Sequence, residues 1–398
     1  MRRAVLSVLA LLLAAAVARP AAAALCTIDP VPAATLLYPI FEVDVASPAT
    51  HDTVLTVTNV GESAVIAHVT LWSDWAVPVL DFDIYLARLD VQTIDMKDVI
   101  VDGRLPVTGS AVSPHGPLAG SPVAFSGCNN STVPGSGPVY QDPALSAFLR
   151  AQVQAALKGQ FSQTAGGCVG SNRGNTIARG YVTIDANRAC TVMLATSPGY
   201  FAANGPATRR NVLVGDLALM RPNDAYASSF PAVALEAAAD GQAVPGGRTF
   251  YGRYLGGSGE DGREPLPTTF AARVLAGGIF NGGNQLVVWR ETVPGSNPGA
   301  VPCGGSPAWV PLATLPPAYF DEQENVTDVG QGFPIALDVQ ENQSPYSFGH
   351  VVLDLQHAGV TPIYGGPAAQ AWAAWISKAT ARFAESIPAA QYPTSCTP

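Results

Sequence analysis

Two aspartates one residue apart, Asp81 and Asp83 in the stretch VLDFDIYL, are the first side chains in this sequence that suggest chemistry. On an extended strand such a pair shares a face and sits roughly 7 Å apart at the backbone. An inverting glycosidase keeps its acid and base about 6.5–9.5 Å apart, so the spacing suits carbohydrate hydrolysis. The same alternation argues for a plainer role. Leu80, Phe82, Ile84 and Leu86 take the opposite face as core, which predicts that Val79, Asp81, Asp83 and Tyr85 form a solvated outer face. No third polar group close in sequence completes an acid–base site.

Two other sets of residues offer ligand chemistry. The segment DEQENVTD gathers Asp321, Glu322, Glu324, Asn325 and Asp328, hard oxygen donors of the kind that surround calcium. It lacks the spacing and central glycine of a helix-loop-helix calcium loop, so an exposed acidic loop is the simpler expectation and structural calcium the one metal to test. Trp72 and Trp75 flank Ser73 and Asp74, and exposed indoles can stack on sugars or anchor a partner. Core packing is the alternative for both, with Trp75 in its loop the better candidate for exposure.

Several chemistries are disfavoured. His68 shares a strand face with Ile66, Thr70 and Trp72 and reads as a partly buried, hydrogen-bonded residue. The nucleophile elbow GxSxG does not occur, since Ser258 follows Gly256 but precedes Glu260 by two residues. A serine triad drawn from distant residues stays open. The glycine-rich runs have no strand-to-helix context and no phosphate-loop lysine, so no cofactor is expected.

These residues must be positioned by strands. Of 398 residues, 48% are hydrophobic and only 13% charged, with 39 Gly and 34 Pro, the balance of a turn-rich β protein. Short strands are predicted at Ala34–Val45 with a break at Pro39, at Asp52–Val60, Ala64–Trp72, Val79–Leu86, Val91–Met96 and Val99–Val101. Their 8–12-residue spacing predicts an all-β fold, an immunoglobulin-like or jelly-roll-like sandwich or sandwiches. Leu105–Asn175 reads as a loop-rich insertion with one helix over 143–158, opened by Asp142 and Pro143 and stopped by Gly159. Further strands are expected at Gly180–Ala186 and Cys190–Leu194 as a hairpin, then at Val212–Met220, Thr249–Leu255, Thr268–Leu275, Gln285–Glu291 and Gly349–Leu355. Residues 369–387 carry helical spacing in Trp372, Trp375, Ile376, Ala379, Phe383 and Ile387, yet suit a closing hairpin. Strands are preferred there. The organisation expected is a leader at 1–24, a first sandwich region at 25–110, the insertion at 111–175 and a second β-rich region at 176–398.

The leader follows from Arg2 and Arg3, an apolar run Ala4–Val17 and the small residues Ala21–Ala24, the order of a secretory signal peptide. The run is shorter than the ~20 residues that span a bilayer, so no transmembrane segment is expected after cleavage. Cys26 lies just beyond it, but Leu25 occupies the place of the small residue a lipid-attachment signal needs. Cys26, Cys128, Cys168, Cys190, Cys303 and Cys396 make an even number, which in an oxidising compartment predicts up to three disulfides. Cys128 with Cys168, and Cys303 with Cys396, are pairings to examine. With 21 basic against 30 acidic residues, and Lys97, Lys158 and Lys378 the only lysines, nucleic acid is not an expected partner.

The segments AHVTLWSDWAVPVLDFDIYLARLDVQTIDMKDV, ARGYVTIDANRAC, REPLPTTFAARV and NGGNQLVVWRET resemble strings carried in the same order by a family of uncharacterised exported bacterial proteins. That resemblance implies location and architecture and no activity. TVTNVGESA is similar to strands of immunoglobulin-like sandwiches on bacterial surfaces. The expectation is an exported structural or ligand-binding protein of the bacterial envelope or exterior, periplasmic or extracellular, with an envelope glycan or protein as partner. A secreted carbohydrate hydrolase using the paired carboxylates and a calcium-stabilised adhesion module are the alternatives.

Overall fold

The computed structural model describes residues 30–106, 130–132, 138–140, 145–191, 193–238, 249–251, 261–292, 299–305, 307–309, 315–328, 332–342, 344–355, 370–379, 384–388 and 390–391. The expected leader, along with Cys26, Cys128 and Cys396, lies outside these residues. The described strands run β1 (Thr35–Asp44), β2 (Asp52–Asn59), β3 (Val65–Ser73), β4 (Pro78–Leu86), β5 (Val91–Asp95), β6 (Asn130–Thr132) and β7 (Pro138–Tyr140). A helix, α1 (Ala147–Leu157), precedes β8 (Ile177–Asn187), β9 (Leu213–Arg221), β10 (Tyr226–Pro231) and β11 (Val233–Leu235). Then come β12 (Thr269–Leu275), β13 (Asn284–Arg290), β14 (Ala318–Phe320), β15 (Val326–Asp328), β16 (Leu337–Asn342), β17 (Phe348–Asp354), β18 (Ala371–Lys378), β19 (Ala384–Pro388) and β20 (Ala390–Gln391).

These strands build four antiparallel sheets, and the fold is all-β with sandwich packing. A seven-stranded sheet (β11-β1-β8-β3-β4-β6-β7) lies over a four-stranded one (β10-β9-β2-β5); a five-stranded sheet (β15-β14-β17-β12-β20) lies over another of four (β16-β13-β18-β19). In the first pair, β2 shows the simplest logic. Leu55 and Val57 are buried while Val54, Thr56 and Thr58 are half-exposed, the period of a strand with one wet face. Tyr38 reaches from β1 across the interior to donate to the Thr56 carbonyl at 2.6 Å. Gly215 on β9 leaves room for that reach, because a Cβ there would fall 2.2 Å from the Tyr38 hydroxyl. Pro39 sits where the β1–β8 register shifts between Tyr38 and Phe41, the bend its missing N–H favours.

The sheet of β13 and β18 is buried on both sides. Val287, Trp289, Trp372, Ala374 and Ile376 join the core of the first pair, while Leu286, Val288, Ala373 and Trp375 form a second core with Phe270, Val274, Tyr319 and Leu353. Double burial removes the polar half of the alternation, so the β18 sequence AWAAWISK takes on helix-like spacing. Its pairing with β13 and β19 makes it a strand and the first arm of a hairpin.

Other expectations are corrected. Val99–Val101 belongs to a wide helical turn, Asp98–Asp102, closed by Gly103 at φ 72°. The helix starts at Ala147 with Ser146 as its cap, whose hydroxyl accepts from the Leu149 amide at 3.2 Å; Asp142 and Pro143 fall outside the described residues. Leu149, Val153, Ala156 and Leu157 face inward, and Gly159 at φ 66° follows its end. Cys190, Thr191, Met193 and Leu194, the described residues of the expected second hairpin arm, form no strand: after β8 the chain turns away to cover the sheet. Thr249–Tyr251 forms a turn rather than the start of a strand, and 252–255 lie outside the described residues. Cys168 is joined to Cys303, which replaces both suggested pairings, and Cys190 is also disulfide-bonded. Among the described residues no helix is long and apolar enough to cross a membrane.

Candidate functional site

The pairing of four neighbouring strands places seven polar residues on one face in two rows. Thr35 on β1, Asp185 on β8, His68 on β3 and Asp83 on β4 lie side by side; Thr183, Thr70 and Asp81 form the next row, with Leu37 at its β1 end. Adjacent rows share a face because side chains alternate along each strand. This is the reverse of the four-stranded ribbon's other face, where Leu36, Ile184, Val69 and Phe82 meet the facing sheet.

The rows are not solvated. Asp81 is 0% and Asp83 7% exposed, and His68, Thr70, Thr183 and Asp185 are fully buried. The expectation of an outer face fails because later parts of the chain close over it. Tyr200 lies with its ring 5.5 Å from His68, Phe201 and Tyr251 pack beside it, and Trp289 from β13 meets Tyr181 edge-on at 5.7 Å. Alternation identifies which residues share a face; it carries no information about a lid contributed more than a hundred residues later.

Beneath that cover the polar groups form a network. Asp185 accepts from the Thr35 hydroxyl, from Tyr200 Oη at 3.1 Å and from Tyr251 Oη at 3.2 Å, with the Arg263 guanidinium 3.7 Å away. Arg263 is itself enclosed, donating to Thr35 Oγ1 at 2.6 Å, to the Asp261 carbonyl at 2.7 Å and to the Thr208 carbonyl at 3.1 Å, while lying over the Phe201 ring. Asp83 receives His68 Nδ1 at 2.8 Å and the Thr191 amide at 2.8 Å. Burial alone would push the His68 imidazole toward its neutral form; the charge and hydrogen bond of Asp83, reinforced by Asp81 and Asp185, outweigh this and raise its pKa to about 9. Burial raises Asp81 to about 7, against the pull of His68 and with the help of Asp83. Burial likewise drives the Tyr200 and Tyr251 hydroxyls well above the usual phenol range, so they act as donors to Asp185.

Asp185, Arg263, Tyr200 and Tyr251 escape a reading of the sequence. The available signal was the repeated polar alternation itself: Thr183 and Asp185 in β8 match His68 and Thr70 in β3 and the Asp81–Asp83 pair in β4. Stacking the three strands would have exposed a polar face too rich for solvent alone.

The remaining candidates are dispersed. Trp72 is buried, stacked on Tyr181 at 5.7 Å and donating to Thr183 at 2.9 Å. Trp75, expected to be exposed, packs into the core with its indole N–H on Ser171 at 2.8 Å and its carbonyl accepting from Trp309 at 2.8 Å. Neither ring offers a stacking surface. In the acidic loop between β14 and β15, Asp321 accepts from the Gln323 and Asn325 amides at 2.8 and 2.9 Å and from the Asn325 side chain at 2.8 Å. The turn consumes those oxygens, while Glu322, Glu324 and Asp328 stay exposed. Among the described residues no group of three or more His, Cys, Asp and Glu is placed to hold a metal ion.

A shallow depression no larger than a water molecule opens where the first sandwich meets β13, lined among others by Glu42, His51, Asp52, Arg221, Tyr226 and Gln285. Glu42 is occupied by Arg179, and the Arg221 guanidinium lies 5.3 Å from the Tyr226 ring centre. No family model, no curated protein and no solved structure matches the chain.

Proposed function

We propose that the protein is an exported structural or ligand-binding component of the bacterial envelope or exterior and carries no catalytic activity. The observation that carries this reading is the enclosure of His68, Asp81, Asp83 and Asp185, the groups best suited to acid–base work, beneath a lid of packed aromatic side chains. A general acid or base must come within hydrogen-bond reach of its substrate, and these groups instead bind one another. The Cys168–Cys303 disulfide supports an oxidising destination for the chain.

The test is an assay of the purified mature chain against broad glycan and ester panels, alongside Asp81→Asn. No turnover above that of the heat-treated protein is expected from either. Turnover by the unmodified chain that disappears in Asp81→Asn would replace this reading with a secreted carbohydrate or ester hydrolase.

A further inference from the structure

The segment between β8 and β9 that covers the polar rows has a slender hold on them. Over 195–208 it consists of turns, joined to the end of β8 by the bridge of Ala207 with Asn187. Its anchor is Tyr200, whose ring lies 5.5 Å from His68 and whose hydroxyl is 3.1 Å from a carboxylate oxygen of Asp185 and 3.2 Å from the amide oxygen of Asn187. A segment tied down by so few buried contacts opens at lower free energy than the strands beneath it.

Beneath it the charges are uneven. Asp81 and Asp83 from β4 and Asp185 from β8 face His68 from β3 and Arg263 from the chain before β12, while Thr35, Thr70, Thr183 and Tyr251 contribute neutral hydroxyls. Asp261, beside Arg263, is occupied by the Thr249 amide and hydroxyl and by the Arg263 amide. Even with the imidazole charged, one carboxylate of the first three is left over. Asp81 is that group: among the described residues neither of its oxygens has a hydrogen-bond partner, nor has Nε2 of His68 at 3.9 Å, nor Oγ1 of Thr70 opposite it. A buried carboxylate so placed is far better accommodated as the neutral acid than as the anion.

We propose that this network is a proton-operated latch: protons on His68 and Asp81 hold the cover over 195–208 shut, and their release frees it. With both in place the charges of Asp83, Asp185, His68 and Arg263 cancel. Losing the Asp81 proton leaves an anion that water reaches only when Tyr200 parts from the sheet, and losing the His68 proton removes the cation between Asp81 and Asp83. Asp81 keeps its proton up to about pH 7, so its contribution is complete below about pH 4 and lost as pH rises through 7. That of His68 is complete below about pH 6.5 and lost as pH rises through about 9. The cover is therefore tightest in acid and loosens through neutrality into alkaline surroundings. This regulation goes beyond the structural or ligand-binding reading and does not depend on it.

Amide hydrogen exchange of the full mature chain, disulfides intact, tests this between pH 5 and pH 9 once the intrinsic pH dependence of exchange is divided out. The Tyr200 and Ala207 amides, bonded to the Ser197 and Tyr200 carbonyls, report on the cover; amides of β3 and β8 report on the sheet. One proton released on opening changes the opening constant about tenfold per pH unit. Protection of the cover should thus fall by about 100-fold or more from pH 5 to pH 9, while staying below that of β3 and β8 throughout. Asp81→Asn, which cannot take up the proton, should flatten the fall between pH 5 and pH 7 and keep the part above 7 that belongs to His68. Cover protection that does not change with pH overturns the proposal. So does a cover that exchanges with the same opening constant as β3 and β8 at every pH, because it then never parts from the sheet by itself. A wild-type fall between pH 5 and pH 7 that persists in Asp81→Asn overturns the assignment to Asp81. If that variant does not fold, the two wild-type outcomes decide.

Discussion

The face of β1, β8, β3 and β4 that carries Thr35, Asp185, His68 and Asp83 is as deeply enclosed as the face of β13 and β18 that carries Leu286, Val288, Ala373 and Trp375. One is a polar network and the other an apolar core. Equal burial therefore rests on different physics. The apolar face is held by area removed from water, which is non-directional and tolerates exchange between side chains of similar volume. The polar face is held only when each donor meets its acceptor, so shape-preserving changes of charge should damage it most. That dependence on matching partners gives the first sandwich a single arrangement of its lid, with Tyr200, Tyr251 and Arg263 all converging on Asp185.

The sharpest way to break this contrast is a pair of near-isosteric substitutions. Asp185→Asn changes charge and hydrogen-bond capacity without changing volume, and leaves Arg263 facing an amide at the centre of the core. It should lower unfolding free energy by about 3–5 kcal/mol, the range for breaking a buried charged pair. Leu286→Met conserves volume on the apolar side and should cost less than about 1.5 kcal/mol. Urea denaturation of both variants checks the difference. Equal losses would mean that the two faces do not differ in the way their compositions suggest.

Next in size is the covalent tie between regions. Cys168 and Cys303 are 135 residues apart in sequence, and their bond restricts a long loop in the unfolded chain. Replacing both with serine should cost roughly 2–5 kcal/mol. The loss should appear in both halves of the molecule, because Trp289, Trp372 and Ile376 belong to the same core as the first sandwich. Two separate unfolding transitions, with only one shifted, would show that the halves melt independently. A smaller local effect is expected at the helix: Ser146→Ala removes the cap on the Leu149 amide and should cost about 1 kcal/mol, read from the same denaturation curves.

How much of this contrast could be read in advance depends on the element. The inward set Leu80, Phe82, Ile84 and Leu86 follows from alternation, as do Leu55 and Val57, since one apolar side in two is enough to define a buried face. The outward assignment of Asp81 and Asp83 does not follow, because polarity describes a face and not what covers it. In β18 the problem is inverted: two apolar covers erase alternation, and alanine-rich sequence imitates a helix until the partners β13 and β19 are known. The site is less legible than the fold for the same reason. Thr35, His68, Asp83, Asp185, Tyr251 and Arg263 come from distant segments, and only strand register brings them together. Val99–Val101 shows the opposite limit: β-branched residues favour a strand, yet the turn between Asp98 and Gly103 overrides three residues of propensity.

A final and smaller effect tests whether desolvated carboxylates outside the polar network also influence stability. Asp52 lies at the start of β2, accepting from the Thr53 and Lys97 amides at 2.7 and 3.2 Å. Burial, with a further contribution from the charge of Asp95, raises its pKa to about 7 despite those bonds. In the folded chain Asp52 therefore holds a proton more tightly than when unfolded. Its contribution is fully present below about pH 4, the ordinary carboxylate range, and is lost as pH rises toward 7. Because water reaches part of this site, the loss should be on the order of 1 kcal/mol rather than the full value of the shift. Asp52→Asn removes the titration while keeping the shape, so the stability difference between variant and wild type should grow in the variant's favour from pH 4 to pH 7 and stay level above it. Unfolding curves at intervals across that window read the difference directly. A constant difference would show that the Asp52 carboxyl is as well hydrated in the folded chain as in the unfolded one.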